Sequence, residues 1–246
     1  MTTGCGHPVL APLLDPGRLP ADEDPSQVRA MQVILRIERD APPSRTDLLE
    51  AAATAAVAVC LDERARPGGE WHAAVAAWVD GRIRKLTRRA RGAHWTAVSA
   101  LPGVTVVVGG ASVRALVPGL VSETPREVSR LQISGTDLPP DAPGPPDDDL
   151  PVVWLNPGLD LSVGKAAAQV GHATMLLAAS LPADDLARWR ADGLRCAVRV
   201  AHPRRWSLLG AEADSGRAVA VRDAGFTEVA PGSMTCIATW RPQPTA

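Results

Sequence analysis

An α/β fold, built twice in tandem, is predicted for this chain. Short β-branched runs alternate with alanine-rich stretches of helical character. That alternation runs once before a proline-rich segment and again after it, and rare residues recur in the same order on both sides.

In the first half, residues 31–37 are apolar enough for a buried strand. Residues 45–61 form an alanine-rich helix with Ser44 or Thr46 available as its cap. A second helix covers 70–79, and 83–90 reads as a strand. Val104 to Val108, bounded by Pro102-Gly103 and Gly109-Gly110, is a clear strand, and 128–133 is the candidate for the last one. The segment from Leu138 to Asp149 holds five prolines and cannot be helix or central strand, so it marks a stiff spacer. After it come a strand at 152–155, a helix at 165–179, a short helix at 184–191, a strand at 195–200, a helix at 203–211, and strands at 218–221 and 234–240. The expected organisation is a flexible tail over 1–28, a domain over 29–136, a linker over 137–150 and a second domain over 151–246.

The repetition holds residue by residue. Ala51-Ala52-Ala53 answers Ala166-Ala167-Ala168; Trp78 answers Trp189, and Trp95 answers Trp206. Arg84 and Arg88 answer Arg195 and Arg199, and Val108 through Gly119 runs ungapped against Val221 through Gly232. The mismatches carry the information. Lys165 stands opposite Glu50, Gln169 opposite Thr54, His172 opposite Val57, Asp223 opposite Gly110 and Thr227 opposite Arg114. One copy holds a polar set that the other lacks.

Composition excludes several classes. A net charge of −1 gives no global field to attract nucleic acid, so any such contact rests on a local arginine surface. Arg188, Arg190, Arg195, Arg199, Arg204, Arg205 and Arg222 are its candidates. The four cysteines stand alone, with no C-x-x-C pair and no zinc-type histidine spacing, so neither a metal nor a cofactor is expected. No signal peptide or bilayer-length apolar run is present, and the expectation is a reduced, cytoplasmic protein.

Of the 26 lysines and arginines, only two are lysines. One is Lys165, directly after Gly164, where a compact point charge at a helix start suits a small anionic group. Lys165, Gln169 and His172 follow at i, i+4 and i+7, on one helical face. A phosphate-binding loop is excluded, because it needs Ser or Thr where Ala166 stands and Gly where Leu159 stands. The second cluster is Asp223-Ala224-Gly225-Phe226-Thr227 followed by Pro231-Gly232-Ser233-Met234-Thr235, with Asp223 directly after a strand.

Together these two segments resemble the hallmarks of the type 2 peptidyl-tRNA hydrolase family: a Gly-Lys-x-Ala-Ala-Gln-x-x-His-Ala helix and an Asp-Ala-Gly-x-Thr-x-x-x-Pro-Gly-x-x-Thr segment, over residues 151–242. The resemblance implies a mixed four-stranded sheet flanked by helices, commonly in a homodimer. It implies cleavage of the ester joining a peptide to the 3′ end of tRNA. It implicates Lys165, Asp223, Thr227 and Thr235 in catalysis, with Gly164, Gln169 and His172 in the helix motif toward substrate. The chain departs from the family at Asn156-Pro157-Gly158-Leu159, where Arg-x-Asp-Leu is usual. The expectation is therefore a monomeric pseudo-dimer, with a hydrolase second half acting on peptidyl-tRNA and a degenerate first half in the partner's place. The alternative is a tRNA- or protein-binding module that has lost turnover on the same scaffold.

Overall fold

The computed structural model describes residues 7–15, 24–133, 137–225 and 228–240. The first half runs β1 (Arg29–Arg36), α1 (Arg45–Leu61), α2 (His72–Asp80), β2 (Arg84–Ala90), α3 (Gly92–Ser99), β3 (Gly103–Val108) and β4 (Ala111–Leu116). A two-residue strand β5 (Gly119–Leu120) and a short helix α4 (Arg126–Ser129) follow. The second half repeats the order: β6 (Val152–Leu155), α5 (Val163–Ser180), α6 (Ala183–Ala191), β7 (Ala197–Val200), α7 (Pro203–Asp214), β8 (Val219–Arg222) and β9 (Met234–Thr239).

The two sheets share one plan. The strand orders are β2-β1-β4-β3 and β7-β6-β9-β8, each with one parallel pair, β1–β2 or β6–β7, and otherwise antiparallel neighbours. The first is five-stranded rather than four, because β5 adds to β1. Local devices repeat as well. Trp78 Nε1 donates to the Arg84 carbonyl at 3.0 Å, and Trp189 Nε1 to the Arg195 carbonyl at 2.7 Å. Among the described residues the non-glycine positive φ angles fall on Ile83 (46°) and Leu194 (58°), each just before the edge strand of its sheet. Trp95 and Trp206 each pack on an apolar cluster that lies apart from the main core, one in each half.

The structure departs from expectation or adds to it at several points. The expected last strand at 128–133 is absent; β4 and the two-residue β5 complete the first sheet. Gly109 and Gly110 form a two-residue turn with φ of 53° and 96°, which closes a hairpin directly. Val128 instead sits in α4, buried beside Ile34 and Val98. The helix α3 was not foreseen; its lone buried residue, Val98, offers little periodicity to read. Within the expected tail, His7, Val9 and Leu10 are buried, and the two apolar ones belong to the main core. The spacer is exposed over most of its length but tied down at points: Leu138 is buried, Asp141 accepts from the Thr46 backbone N–H and hydroxyl, and the Gly144 carbonyl accepts from Arg199. Ser44, rather than Thr46, caps α1 by accepting from the Asp47 N–H.

The halves meet through α1 and α5. Both helices are apolar on nearly every face, which is the pattern of a helix buried on all sides. Their alanines and Gly171 let the backbones approach closely. A Cβ on Gly171 would lie 2.9 Å from the Ala56 Cβ, well inside contact distance. Thr174 donates to the Ala53 carbonyl at 2.8 Å, and Thr54 donates to the Leu194 carbonyl at 3.1 Å, so each helix hydrogen-bonds across to the other half. A single apolar core spans both.

Gly171→Ala is expected to lower stability by about 1–3 kcal/mol through overpacking, although alanine is the better helix former. Gly210→Ala in α7, where an added Cβ meets nothing within 4 Å, is expected to gain up to about 1 kcal/mol. Urea midpoints of the two variants check this; a gain at both positions would show that the helix crossing is looser than described.

Candidate active site

The site is assembled at the N-terminus of α5. Ser162 is the N-cap; its hydroxyl accepts from the Lys165 backbone N–H at 3.1 Å. Glu228, from the loop before β9, fixes that cap by accepting from the Ser162 N–H at 2.9 Å and the Ser162 hydroxyl at 2.6 Å. The loop leading in is held by Asn156, whose Nδ2 donates to the Met234 carbonyl at 2.8 Å and whose Oδ1 accepts from the Gly158 N–H at 2.9 Å. Arg45, from the first half, donates to the Leu161 carbonyl at 2.7 Å and to the Leu138 carbonyl at 3.2 Å. The first residue of α1 thus steadies the residue before the α5 cap.

Lys165 and Gln169, one turn apart, converge on Asp223. Lys165 Nζ lies 2.5 Å from Asp223 Oδ2, and Gln169 Nε2 donates to the same oxygen at 2.9 Å. Asp223 Oδ1 accepts from the Gly225 N–H at 2.8 Å. Gly225 has φ of 80°, and a Cβ there would strike the Pro231 ring at 2.4 Å, so the turn admits no other residue. Thr235 donates to Gln169 Oε1 at 2.6 Å, closing a chain from Thr235 through Gln169 to Asp223 and Lys165.

The position of Thr235 depends on a β-bulge. Val221 pairs with Cys236, but Arg222 pairs with Met234, so Thr235 is an extra residue on β9. Strict alternation would turn Thr235 and Cys236 to opposite faces. The bulge lets both reach α5: Thr235 bonds the Gln169 side chain, and Cys236 Sγ donates to the Gln169 carbonyl at 3.4 Å.

Electrostatics follow from these contacts. Burial acts to raise the Asp223 pKa, but hydrogen bonds from Lys165, the Gly225 N–H and Gln169, with the Lys165 charge, outweigh it and hold the carboxyl below its ordinary range. Asp223 is therefore an anion at neutral pH. His172, two turns beyond Lys165, is half-buried and stands apart from this network: its Nδ1 lies 3.0 Å from the Nζ of Lys85 on β2. Burial, then the charges of Lys85 and Lys165, push the His172 pKa well below its ordinary value. Burial brings Lys85 itself down to about 7.

Of the residues expected from sequence, Lys165, Gln169, Asp223 and Thr235 are brought together. Gly164 lies at the helix start, where a Cβ would meet Thr87 Oγ1 of β2 at 2.8 Å, so its role is to admit the first half's edge strand. Thr227 lies outside the described residues. Ser162, Glu228, Arg45 and Lys85 were not singled out from sequence, and Asn156 only as a departure from the family pattern; of the four, only Ser162, as a serine ahead of a helix, carried a local signal. Of the seven candidate arginines, Arg188, Arg190, Arg195, Arg199 and Arg205 each pair with an acid. Arg204 and Arg222 are exposed, with no ion pair among the described residues.

Fold and site together define an α/β protein with a buried lysine–carboxylate pair at a helix N-terminus, on a mixed sheet. No described helix is long and apolar enough to cross a membrane. A family model, Peptidyl-tRNA hydrolase PTH2, matches residues 151–246. A peptidyl-tRNA hydrolase of Haloquadratum walsbyi is 35% identical over 83 residues, which span 32% of this chain and 74% of that protein. The chain belongs to the peptidyl-tRNA hydrolase PTH2 family through its second half.

The buried amine has a measurable consequence. Folding lowers the Lys85 pKa from 10.5 to about 7, so between these values the unfolded state binds the extra proton and stability rises with pH. Burial raises the Cys60, Cys196 and Cys236 thiols from 9.0 to about 12, so above 9.0 the unfolded state sheds protons first and stability falls. A stability maximum between pH 7 and 9 is expected from urea titrations, and Lys85→Met should remove the rising limb above pH 7. A flat profile in the unaltered protein would contradict the burial of Lys85.

Proposed function

We propose that the second half hydrolyses the ester between a peptide, or an N-acyl-amino acid, and the 3′ end of tRNA. The single observation that carries this is the Lys165–Asp223–Gln169–Thr235 network at the start of α5. Ester hydrolysis needs a water directed at the carbonyl carbon, stabilisation of the oxyanion that forms, and a proton for the leaving ribose oxygen. The Lys165 ammonium, fixed by Asp223 and set in the first turn of α5, supplies positive charge to the oxyanion or to the terminal phosphate, and the helix dipole adds to it. Asp223 uses three acceptor positions on Lys165, Gln169 and the Gly225 N–H, which leaves one to orient a water. No covalent intermediate is required. Thr227 belongs to the same motif, and its hydroxyl is assigned to substrate or water.

The first half is read as a degenerate copy in the place of a second subunit. The common strand order, the paired Trp–carbonyl bonds and the paired positive φ angles support this. Its own helix start is chemically different: Asp47 follows the Ser44 cap by three residues, as Lys165 follows Ser162, and Asp141 from the linker sits on Thr46. Each chain then carries one active site and needs no partner chain. Light scattering is expected to give a mass near 25.8 kDa. A stable dimer would sink the pseudo-dimer.

Purified protein is expected to release N-acetyl-aminoacyl groups from charged tRNA. Lys165→Ala should reduce turnover by about 10²–10³-fold, and Asp223→Asn by a similar factor, since each breaks the charge pair. Tight tRNA binding without release by the unaltered protein would select the binding-module alternative, with Asn156-Pro157-Gly158-Leu159 as the altered stretch. Full turnover in Lys165→Ala would remove the role given to that lysine.

A further inference from the structure

We propose that the first half completes the active site through Lys85, a positioning residue that holds the His172 ring by Nδ1 and so presents Nε2–H to a substrate oxygen. The inference rests on the hydrolase reading for its substrate and on geometry for everything else. Lys85 is the chain's second lysine, and it is buried at the seam between the halves. No carboxylate pairs with it among the described residues; its amine lies 3.0 Å from His172 Nδ1 and 5.0 Å from the centre of the Trp78 ring.

The seat for this side chain is formed by α5. A Cβ on Gly171 would stand 3.2 Å from Lys85 Cε and 3.4 Å from Cδ, so the bare glycine backbone is where the lysine stem lies. Two residues along β2, Thr87 meets the other glycine of α5, Gly164, in the same way. Both glycines of the catalytic helix therefore face the strand that the first half contributes. In the second half's own edge strand, the counterpart of this region reads Arg195-Cys196-Ala197-Val198-Arg199, with no lysine.

Chemistry sets the direction of the hydrogen bond. Below pH 7 the Lys85 amine is charged and has only protons to offer, so the neutral imidazole must accept at Nδ1 and carry its own proton on Nε2. Nε2 makes no hydrogen bond among the described residues, and His172 is half-buried rather than sealed. The titratable groups facing Lys85 are His172 from α5, Cys60 from α1 and Cys236 from β9; both thiols are raised to about 12 and stay neutral. Lys165 lies close enough to add to the pressure against a charged His172. The ring is thus kept neutral, with its donor free, one helical turn past Gln169. A phosphate or ribose oxygen of the tRNA terminus is the substrate chemistry that such a donor fits.

Two measurements test this. The first is an imidazole ¹H–¹⁵N titration of the full-length protein, with the His172 signal assigned by its loss in His172→Gln. At pH about 6 His172 is expected to be neutral with its proton on Nε2, and Lys85→Met should raise its midpoint by about one unit as the neighbouring charge is lost. A proton on Nδ1 in the unaltered protein, or an unmoved midpoint in the variant, overturns the proposal. The second is kcat/KM on N-acetyl-aminoacyl-tRNA. Lys85→Met should lower it about tenfold in the otherwise unaltered protein, the worth of one good hydrogen bond, and cause no further loss in a His172→Ala background. Equal losses in both backgrounds would mean that Lys85 does not act through His172. Lys85→Leu serves for both measurements if Lys85→Met does not fold. If the unaltered protein releases nothing, the hydrolase reading fails on its own, and the titration still decides the Lys85–His172 contact.

Discussion

The near approach of α1 and α5 at Ala56 and Gly171 governs the rest of the molecule. Two helices can come this close only where their facing positions are alanine or glycine, and that requirement explains the triple alanines that recur in both. Once the helices touch, the edge strand of each sheet meets the helix of the other: β2 lies along α5 at Gly164 and Gly171, and β7 offers its Val198 N–H and Arg199 to Glu50 on α1. Polar groups that fall on this seam must find partners there, because water is excluded. Thr54 and Thr174 use carbonyls across the boundary, Glu50 uses Arg199, and Lys85 uses His172. The two halves share one core and cannot be understood as beads on a proline string.

The two halves share a strand order but differ at the starts of their central helices. The first turn of α1 bears Asp47, and the linker's Asp141 binds the Thr46 N–H. Asp141 satisfies one of the orphan N–H groups, and both carboxylates offset the positive end of the helix, so an incoming anion meets like charge. The first turn of α5 contains no acid, and it contains Lys165. Among the described residues Ser162 and Glu228 engage the cap of this helix, and Asp223 pairs with the lysine. The two helix starts thus differ in charge: three residues past its serine cap α1 carries Asp47, where α5 carries Lys165.

Much of this was legible because it is local. A strand of four apolar residues, an alanine helix behind a serine cap and a glycine pair between β-branched runs each announce themselves within a few positions. The convergence of Lys165, Gln169, Asp223 and Thr235 was legible because two long motifs were intact. What escaped notice is long-range or irregular. The bulge that turns Thr235 inward has no residue signature of its own. The strand β4 was passed over although Ser112 and Arg114 give Ala111–Ala115 a regular apolar–polar alternation. Asn156 looked like the loss of a charge, whereas its amide ties the β6–α5 loop to β9. Arg45, Glu228 and Lys85 act on residues 116, 66 and 87 positions away, a distance at which no spacing rule operates.

The state of Asp223 constrains the chemistry that this site can perform. A carboxylate held below its ordinary pKa by an ammonium, an amide and a backbone N–H is a poor proton acceptor at neutral pH, since acceptance would break three favourable contacts at once. Deprotonation of water by Asp223 is thus the least suited of its conceivable roles, and fixing Lys165 in place is the best. On the proposed reading the barrier is lowered by preorganised charge: an ammonium with no freedom to wander, in a half-buried recess where its field is little screened, waiting where negative charge develops. Such a site depends on rigidity more than on proton affinity. That accounts for the number of residues engaged only in bracing it, from the Glu228–Ser162 cap to the Arg45 contact at Leu161, and for the presence of a first half whose edge strand closes along α5.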